Sequence, residues 1–334
     1  MFGGMAYLCG RNMIAQYHTI TGTDTARAAQ YLREGHCIAM PTETVYGLAA
    51  DAFNPEAVAR VFATKERPAT NPLIVHLADV AQVDEVATGI SDTARLLLQH
   101  FAPGPLTLLL PRKAHIPDAV TSGLPRVAVR FPAHPVAQAL IRAAGMPLVA
   151  PSANRYTRIS PTTPAHVLAQ LDGRIPYILD GGACTAGLES TIVGFENNQP
   201  VVYRVGALPL EALEAVVPGI QLANGLHRPV VAPGMHHLHY APRIPLTLTN
   251  DVAAVAATLQ EPYAVINFSE IKQGLNTPYQ LVLSPQGDTA EAARNLYAAL
   301  HQAEALPVSR IIAEVAPEKG EGCAINDRLS RAAH

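Results

Sequence analysis

Short apolar runs recur along the first two thirds of the chain and predict buried strands at 36–40, 73–77, 106–110, 127–131, 148–150, 177–179, 191–195 and 201–205. Helical spacing fills the gaps between them. Asn54 followed by Pro55 is a start signal, a capping side chain and then proline at the first helical position. Val58, Val61 and Phe62 then supply one apolar face, and the pattern stops around Lys65 to Arg67, just before Pro68. A further helix is expected over 162–171. From 221 to 243 the periodicity lapses into Asn-Gly, Arg-Pro, Ala-Pro-Gly and Ala-Pro, which is turn and linker chemistry. Beyond it, apolar runs at 244–248, 263–268, 279–283 and 310–315 alternate with helical stretches 251–260 and 289–305, predicting a smaller α/β unit with parallel-sheet character.

Composition supports an α/β class with two units. The chain has 334 residues, 49% of them hydrophobic and 15% charged, and no Trp; at roughly 150 residues per domain that is enough for two cores. Continuous apolar runs suit strands covered on both faces. The formal net charge of −3 argues against a protein that coats nucleic acid, while leaving room for a local basic pocket. Cys9, Cys37, Cys184 and Cys323 form no C-x-x-C pair, so neither a zinc knuckle nor a disulfide framework is expected. Met1 to Gln16 lacks a basic stretch feeding an apolar one, and no apolar run approaches the ~20 residues of a membrane span. The expectation is a soluble, cytoplasmic protein with a frayed N-terminus.

Candidate chemistry sits where apolar strands end. Pro41-Thr42-Glu43-Thr44-Val45-Tyr46-Gly47-Leu48 follows the 36–40 run, where hydroxyls can meet a ligand at a strand's carboxyl end or simply cap a turn. Lys65 and Arg67 precede Pro68 and are followed by Asn71, with His76 ending the next strand; the two cations suit a phosphate clamp or a charged helix terminus. Pro103-Gly104-Pro105 reads as a structural turn. Arg130 ends an apolar strand and must find an anion, either a ligand carboxylate or a structural partner. Ala150-Pro151-Ser152-Ala153-Asn154 closes another strand with small polar groups, Ser160 follows in the loop, and Asp180 to Thr191 is a Gly-rich loop in which backbone N–H groups could approach a ligand. Arg204 lies near the end of the last strand before the linker. Three linker histidines, His236, His237 and His239, allow a metal-dependent hydrolase reading, but no acidic or Cys ligand accompanies them at a recognisable spacing. The chain has no P-loop, no dinucleotide fingerprint and no H-E-x-x-H.

Taken in order, PTETVYGL, KERPATNPLIVH, APSAN, GLESTIVGF and PGMHHLHYAP resemble the YrdC-like family of threonylcarbamoyl-AMP synthases in its two-domain long form. The resemblance implies an irregular start over 1–19, a catalytic domain over 20–220 with a twisted mixed sheet and an open cavity, a linker over 221–243 acting as a lid, and a Rossmann-like domain over 244–334. It implies ATP-dependent formation of L-threonylcarbamoyladenylate from L-threonine and bicarbonate or CO2, with pyrophosphate released. Thr44, His76, Arg130, Ala150 and Ser190 would surround threonine or its carbamate. Arg67, Asn71, Ser152, Asn154, Ser160, Arg204 and Tyr240 would hold ATP, with Lys65 and Arg67 as the catalytic cations. Arg126 stands where the family often has a small, nucleotide-contacting hydroxyl. Magnesium is expected on the triphosphate, with no protein metal ligands. The partners implied are a downstream transferase that modifies tRNA and at most weak RNA contact, with the chain a monomer or homodimer. An RNA-binding module without turnover and a carbamoyl-transfer domain of the hydrogenase-maturation type are the alternatives.

Overall fold

The computed structural model describes residues 17–197, 199–223 and 240–333. Its strands are β1 (Ile20–Gly22), β2 (Ile38–Met40), β3 (Gly47–Asp51), β4 (Ile74–His76), β5 (Leu106–Pro111), β6 (Arg126–Arg130), β7 (Leu148–Val149), β8 (Tyr177–Leu179), β9 (Thr191–Glu196), β10 (Gln199–Arg204), β11 (Gln221–Leu222), β12 (Leu246–Thr249), β13 (Tyr263–Asn267), β14 (Gln280–Val282) and β15 (Arg310–Glu314). Among the described residues, the first eleven form one sheet in the order β1-β8-β2-β3-β7-β4-β6-β5-β9-β10-β11. Parallel pairs such as β4 with β6 and β5 with β9 alternate with antiparallel ones such as β4 with β7 and β5 with β6. The mixed sheet implied by the family resemblance is therefore present, and the parallel character suggested by composition holds only for the second sheet. There β12-β15-β13-β14 are parallel throughout.

Most sequence-predicted strands form within a few residues of their expected bounds, but β1, β3 and β11 were not anticipated. Gly47-Leu48-Ala49-Ala50-Asp51 carries little β propensity of its own. It is a strand because β2 and β7 pair with it from either side. The PTETVYGL run is thus a loop that feeds straight into a central strand.

The helix Pro55–Lys65 forms as its sequence predicts: Asn54 Oδ1 accepts from the backbone N–H groups of Glu56 and Ala57 at 3.0 and 3.2 Å. It ends at Glu66, which takes the left-handed conformation (φ 56°), while the N–H of Arg67 returns to the carbonyl of Phe62 at 2.9 Å.

A continuous core joins the two sheets. Val45, Ile159 and Leu188 from the first unit pack in one buried cluster with Tyr240, Leu296, Tyr297, Ile325 and Leu329. Gly187 makes the close approach possible: a Cβ there would lie 2.4 Å from Cα of Arg294, and its φ of +75° already favours glycine. The helices Thr289–Glu304 and Gly322–Ala332 are the C-terminal elements that meet the first unit.

Candidate active site

Strand register gathers the site. His76 and Arg130, the last residues of parallel neighbours β4 and β6, are partners in the ladder, and His76 also faces Leu148 of β7. Thr107 of β5 lies opposite Arg130 on one side and Ile192 of β9 on the other, which brings Ser190 alongside. Carboxyl ends of strands are where polar groups can turn toward a ligand without breaking a ladder. A cavity of about 490 Å³, counting the space open to solvent, lies there, lined by Val45, Arg67, Pro72, Leu73, Ile74, His76, Arg130, Ala150, Pro151, Ser152, Glu189, Ser190, Arg204 and Tyr240. All of these wall residues precede the linker except Tyr240, which lies near its end.

The wall is cationic. Arg67, Arg130 and Arg204 are all buried, against one wall carboxylate, Glu189. Arg67 Nη2 donates to the carbonyls of Asn71 and Pro72 at 3.1 and 2.8 Å, and burial lowers its pKa to about 10. Arg204 Nε and Nη2 donate to the carbonyl of Ser190 at 3.1 and 2.8 Å, and Nη2 to its hydroxyl at 3.2 Å. Ser190 Oγ also shares a 2.7 Å hydrogen bond with Thr107 Oγ1. Among the described residues, five of the eight buried side-chain polar atoms without a hydrogen-bond partner belong to Arg67, Asn71, Arg130 and Asn154. Buried donors and acceptors left open in one neighbourhood suit a polar ligand supplied from outside.

Arg130 has the structural partner that its place at the strand end calls for. Its Nη2 donates to Glu43 Oε1 at 2.7 Å, a buried ion pair, while Nε is unpartnered and the residue lines the cavity. His76 is held neutral: burial and the Arg130 charge lower its pKa to about 3, and Nδ1 lies 3.1 Å from the carbonyl of Ile74.

Several predicted residues stand behind the wall instead of on it. Lys65 is fully enclosed, and its Nζ donates to the carbonyls of Ser152 and Asn154. Burial and the nearby Arg67 charge hold its pKa well below the usual lysine range. Thr44 Oγ1 is 2.9 Å from Thr42 Oγ1 within the loop before β3. Asn71 is buried beside Arg67. Asn154 Nδ2 donates to the carbonyls of Arg155 and Arg158 at 2.8 Å, shaping its own loop. Ser160 Oγ donates to Glu189 Oε1 at 2.7 Å. Arg126 lies four residues before Arg130, roughly 13 Å along the strand, with its guanidinium over the Tyr203 ring at 5.4 Å.

Gly181 and Gly187 of the 180–187 loop serve packing in this structure, while Gly182 takes a positive φ with open space where a Cβ would stand. A Cβ on Gly181 would meet Pro41 and His134 at 2.6 and 2.7 Å, and the Tyr46 hydroxyl donates to the Gly182 carbonyl at 2.7 Å. The linker histidines His236, His237 and His239 lie outside the described residues; Tyr240 is described and lines the cavity. Sequence reasoning assigned no role to Glu43 and Glu189, although both fall inside the motifs quoted above. It also missed Tyr297 and Arg328, which no local pattern distinguishes from other residues on amphipathic helices.

Among the described residues no helix is long and apolar enough to cross a membrane, and no cluster of three or more His, Cys, Asp or Glu could hold a metal ion. Comparison with known proteins covers the whole architecture. The Sua5/YciO/YrdC family profile, described as "Telomere recombination", matches residues 30–206, and the profile of the threonylcarbamoyl-AMP synthase C-terminal domain matches residues 208–334. Threonylcarbamoyl-AMP synthase of Bacillus subtilis is 40% identical, with 92% of each chain covered. The Schizosaccharomyces pombe enzyme of that name is 35% identical, over 92% of this chain and 87% of the relative. The crystal structure of Pyrococcus abyssi Sua5 complexed with L-threonine superimposes with a TM-score of 0.87 at 37% identity, covering 94% of this chain and 97% of that one. With both profiles matched in order and relatives similar along nearly their full length, the chain belongs to the threonylcarbamoyl-AMP synthase family in its two-domain, Sua5-type form.

Proposed function

We propose that the cavity joins L-threonine, bicarbonate or CO2, and ATP into L-threonylcarbamoyladenylate, releasing pyrophosphate. The observation that carries this reading is the convergence of Arg67, Arg130 and Arg204 on one open cavity, with the buried Nε atoms of Arg67 and Arg130 left without partners. Arg130, seated between His76 and Thr107, takes the threonine carboxylate, with Ala150, Ser190 and Thr44 around the amine and its carbamate. Arg67 and Arg204 take the phosphates, and Asn71, Ser152, Asn154, Ser160 and Tyr240 shape the nucleotide end.

The chemistry suits such a wall. Threonine's neutral amine, which nearby cations favour, attacks the carbon of CO2 and gives up a proton to solvent, or attacks that of bicarbonate, whose C–O bond breaks as water leaves. Those cations also hold the carbamate anion beside the α-phosphate, so that its oxygen attacks phosphorus and pyrophosphate leaves. Charge that builds on the transferring phosphate is stabilised by Arg67 and Arg204 from fixed positions. Lys65 contributes from behind, by tying down the loop that presents Ser152. Magnesium would travel on the triphosphate as part of the substrate. Glu189, the wall carboxylate, has its oxygens committed to Ser160, Tyr297 and Arg328, so phosphate oxygens and water would form the ion's shell. Tyr240, which lines the cavity, would shield the labile mixed anhydride from water, while residues 224–239 of the linker expected to act as a lid lie outside the described residues.

We further place the enzyme in the cytoplasm, handing its product to a transferase that modifies tRNA. Similarity to synthases along the full chain disfavours the RNA-binding and carbamoyl-transfer alternatives. The test is mass detection of threonylcarbamoyl-AMP from ATP, threonine and bicarbonate, with serine and glycine as controls. Arg67→Ala is expected to abolish pyrophosphate release that depends on both threonine and bicarbonate. Unchanged release in that variant would overturn the assignment.

A further inference from the structure

The C-terminal helix Gly322–Ala332 sends Arg328 into the back of the cavity wall. Its side chain is wholly buried, and its Nε donates to Glu189 Oε2 at 2.8 Å. Nη1 reaches Asp327 Oδ2 at 2.5 Å and Nη2 the carbonyl of Val205 at 2.9 Å. The guanidinium carbon lies 5.1 Å from the centre of the Tyr240 ring, and Tyr297 completes the cluster with its hydroxyl 2.8 and 3.0 Å from the two Glu189 oxygens.

Glu189 is an awkward group at this place. It precedes Ser190, whose carbonyl takes two hydrogen bonds from Arg204, and it shares a cavity wall with that arginine. A triphosphate needs the positive field of Arg67 and Arg204, and a carboxylate on the same wall subtracts from it. Burial alone would raise the Glu189 pKa, but Arg328 and Arg204 outweigh it and hold the carboxyl below its ordinary value, so its negative charge persists.

We propose that Arg328 is a positioning residue for nucleotide binding: by neutralising and orienting Glu189 it preserves the cationic wall that receives the ATP phosphates, and this makes the C-terminal unit part of the active site. The inference rests on the nucleotide reading of the cavity given above. It accounts for a buried ion pair spanning 139 residues of sequence, a costly arrangement when one partner is removed.

The test measures ATP binding by calorimetry on the full chain, alongside thermal unfolding of each variant. Arg328→Met should weaken ATP binding by about tenfold or more, because it leaves the Glu189 charge uncancelled. Arg328→Lys, which keeps the charge, should bind within about threefold of the unmodified protein. The double variant Arg328→Met with Glu189→Gln should regain affinity to within about threefold, since the offending charge is gone. Equal losses in Arg328→Met, Arg328→Lys and the double variant would mean that only the shape of Arg328 matters and would overturn the proposal, as would unaltered binding by folded Arg328→Met. If Arg328→Met does not fold, Arg328→Lys and the double variant carry the test, and weak binding by both overturns it. No ATP binding by the unmodified protein would instead sink the nucleotide reading itself.

Discussion

Arg130 and Glu43 form a buried ion pair at 2.7 Å across 87 residues of sequence, with Glu43 Oε2 also accepting from the backbone N–H of Ala133 at 3.1 Å. The loop before β3 is thereby fastened to the end of β6, on the wall where a substrate carboxylate would sit. Glu43→Ala removes one partner and leaves a buried guanidinium uncompensated. It should destabilise the protein by about 3 kcal/mol in urea unfolding and raise KM for threonine more than KM for ATP. A variant of unchanged stability would show that Arg130 is compensated elsewhere.

Lys65 separates two roles. If it holds the 152–154 loop through the two carbonyls it contacts, Lys65→Met should lower stability by about 2 kcal/mol and raise KM for ATP. A fall in kcat with intact stability and KM would instead put the ammonium on the phosphates in the transition state, restoring the catalytic role expected from sequence.

Gly187 sits where the first unit touches the helix Thr289–Glu304. Gly187→Ala places a methyl within 2.4 Å of the Arg294 backbone at a positive φ, so the interface must shift. A loss of about 2 kcal/mol or more is expected. Differential scanning calorimetry would show this as a lower Tm; an unchanged Tm would mean that the interface yields freely.

His166 and His301 stack face to face across the interface, ring centroids 4.0 Å apart, with His301 Nε2 3.3 Å from the carbonyl of Ser160. Burial lowers both pKa values to about 4, with mutual repulsion adding to the shift of His166. The unfolded chain, with ordinary histidines near 6.5, binds more protons than the folded one between those values. Stability from this pair is therefore complete above about pH 6.5 and falls as the pH drops toward about 4. Chemical denaturation of the unmodified protein and His301→Gln from pH 7.5 to 4.5 checks this. The unmodified protein should lose stability more steeply over that window, and parallel curves would refute the effect.

What was readable in the chain itself was local. Helix Pro55–Lys65 with its Asn54 cap and most strands from 38 to 204 follow from periodicity, turn residues and capping, each decided by neighbours a few residues away. Polar residues at or just after the ends of apolar runs marked His76, Arg130, Ser152 and Arg204, the family motifs added Ala150 and Ser190, and all of them line the cavity. Tertiary structure alone decided which strands are neighbours, and with that which ends converge. It made a strand of Gly47–Asp51, whose own residues do not favour one, by pairing it on both sides. It put Lys65 behind the wall and Glu189 on it, and it brought Arg328 across 139 residues to meet Glu189. Such pairings have no sequence period, because they depend on how the sheet is ordered and how the C-terminal helices pack against it; an isolated Arg on an amphipathic helix reads as a solvated charge until the fold buries it.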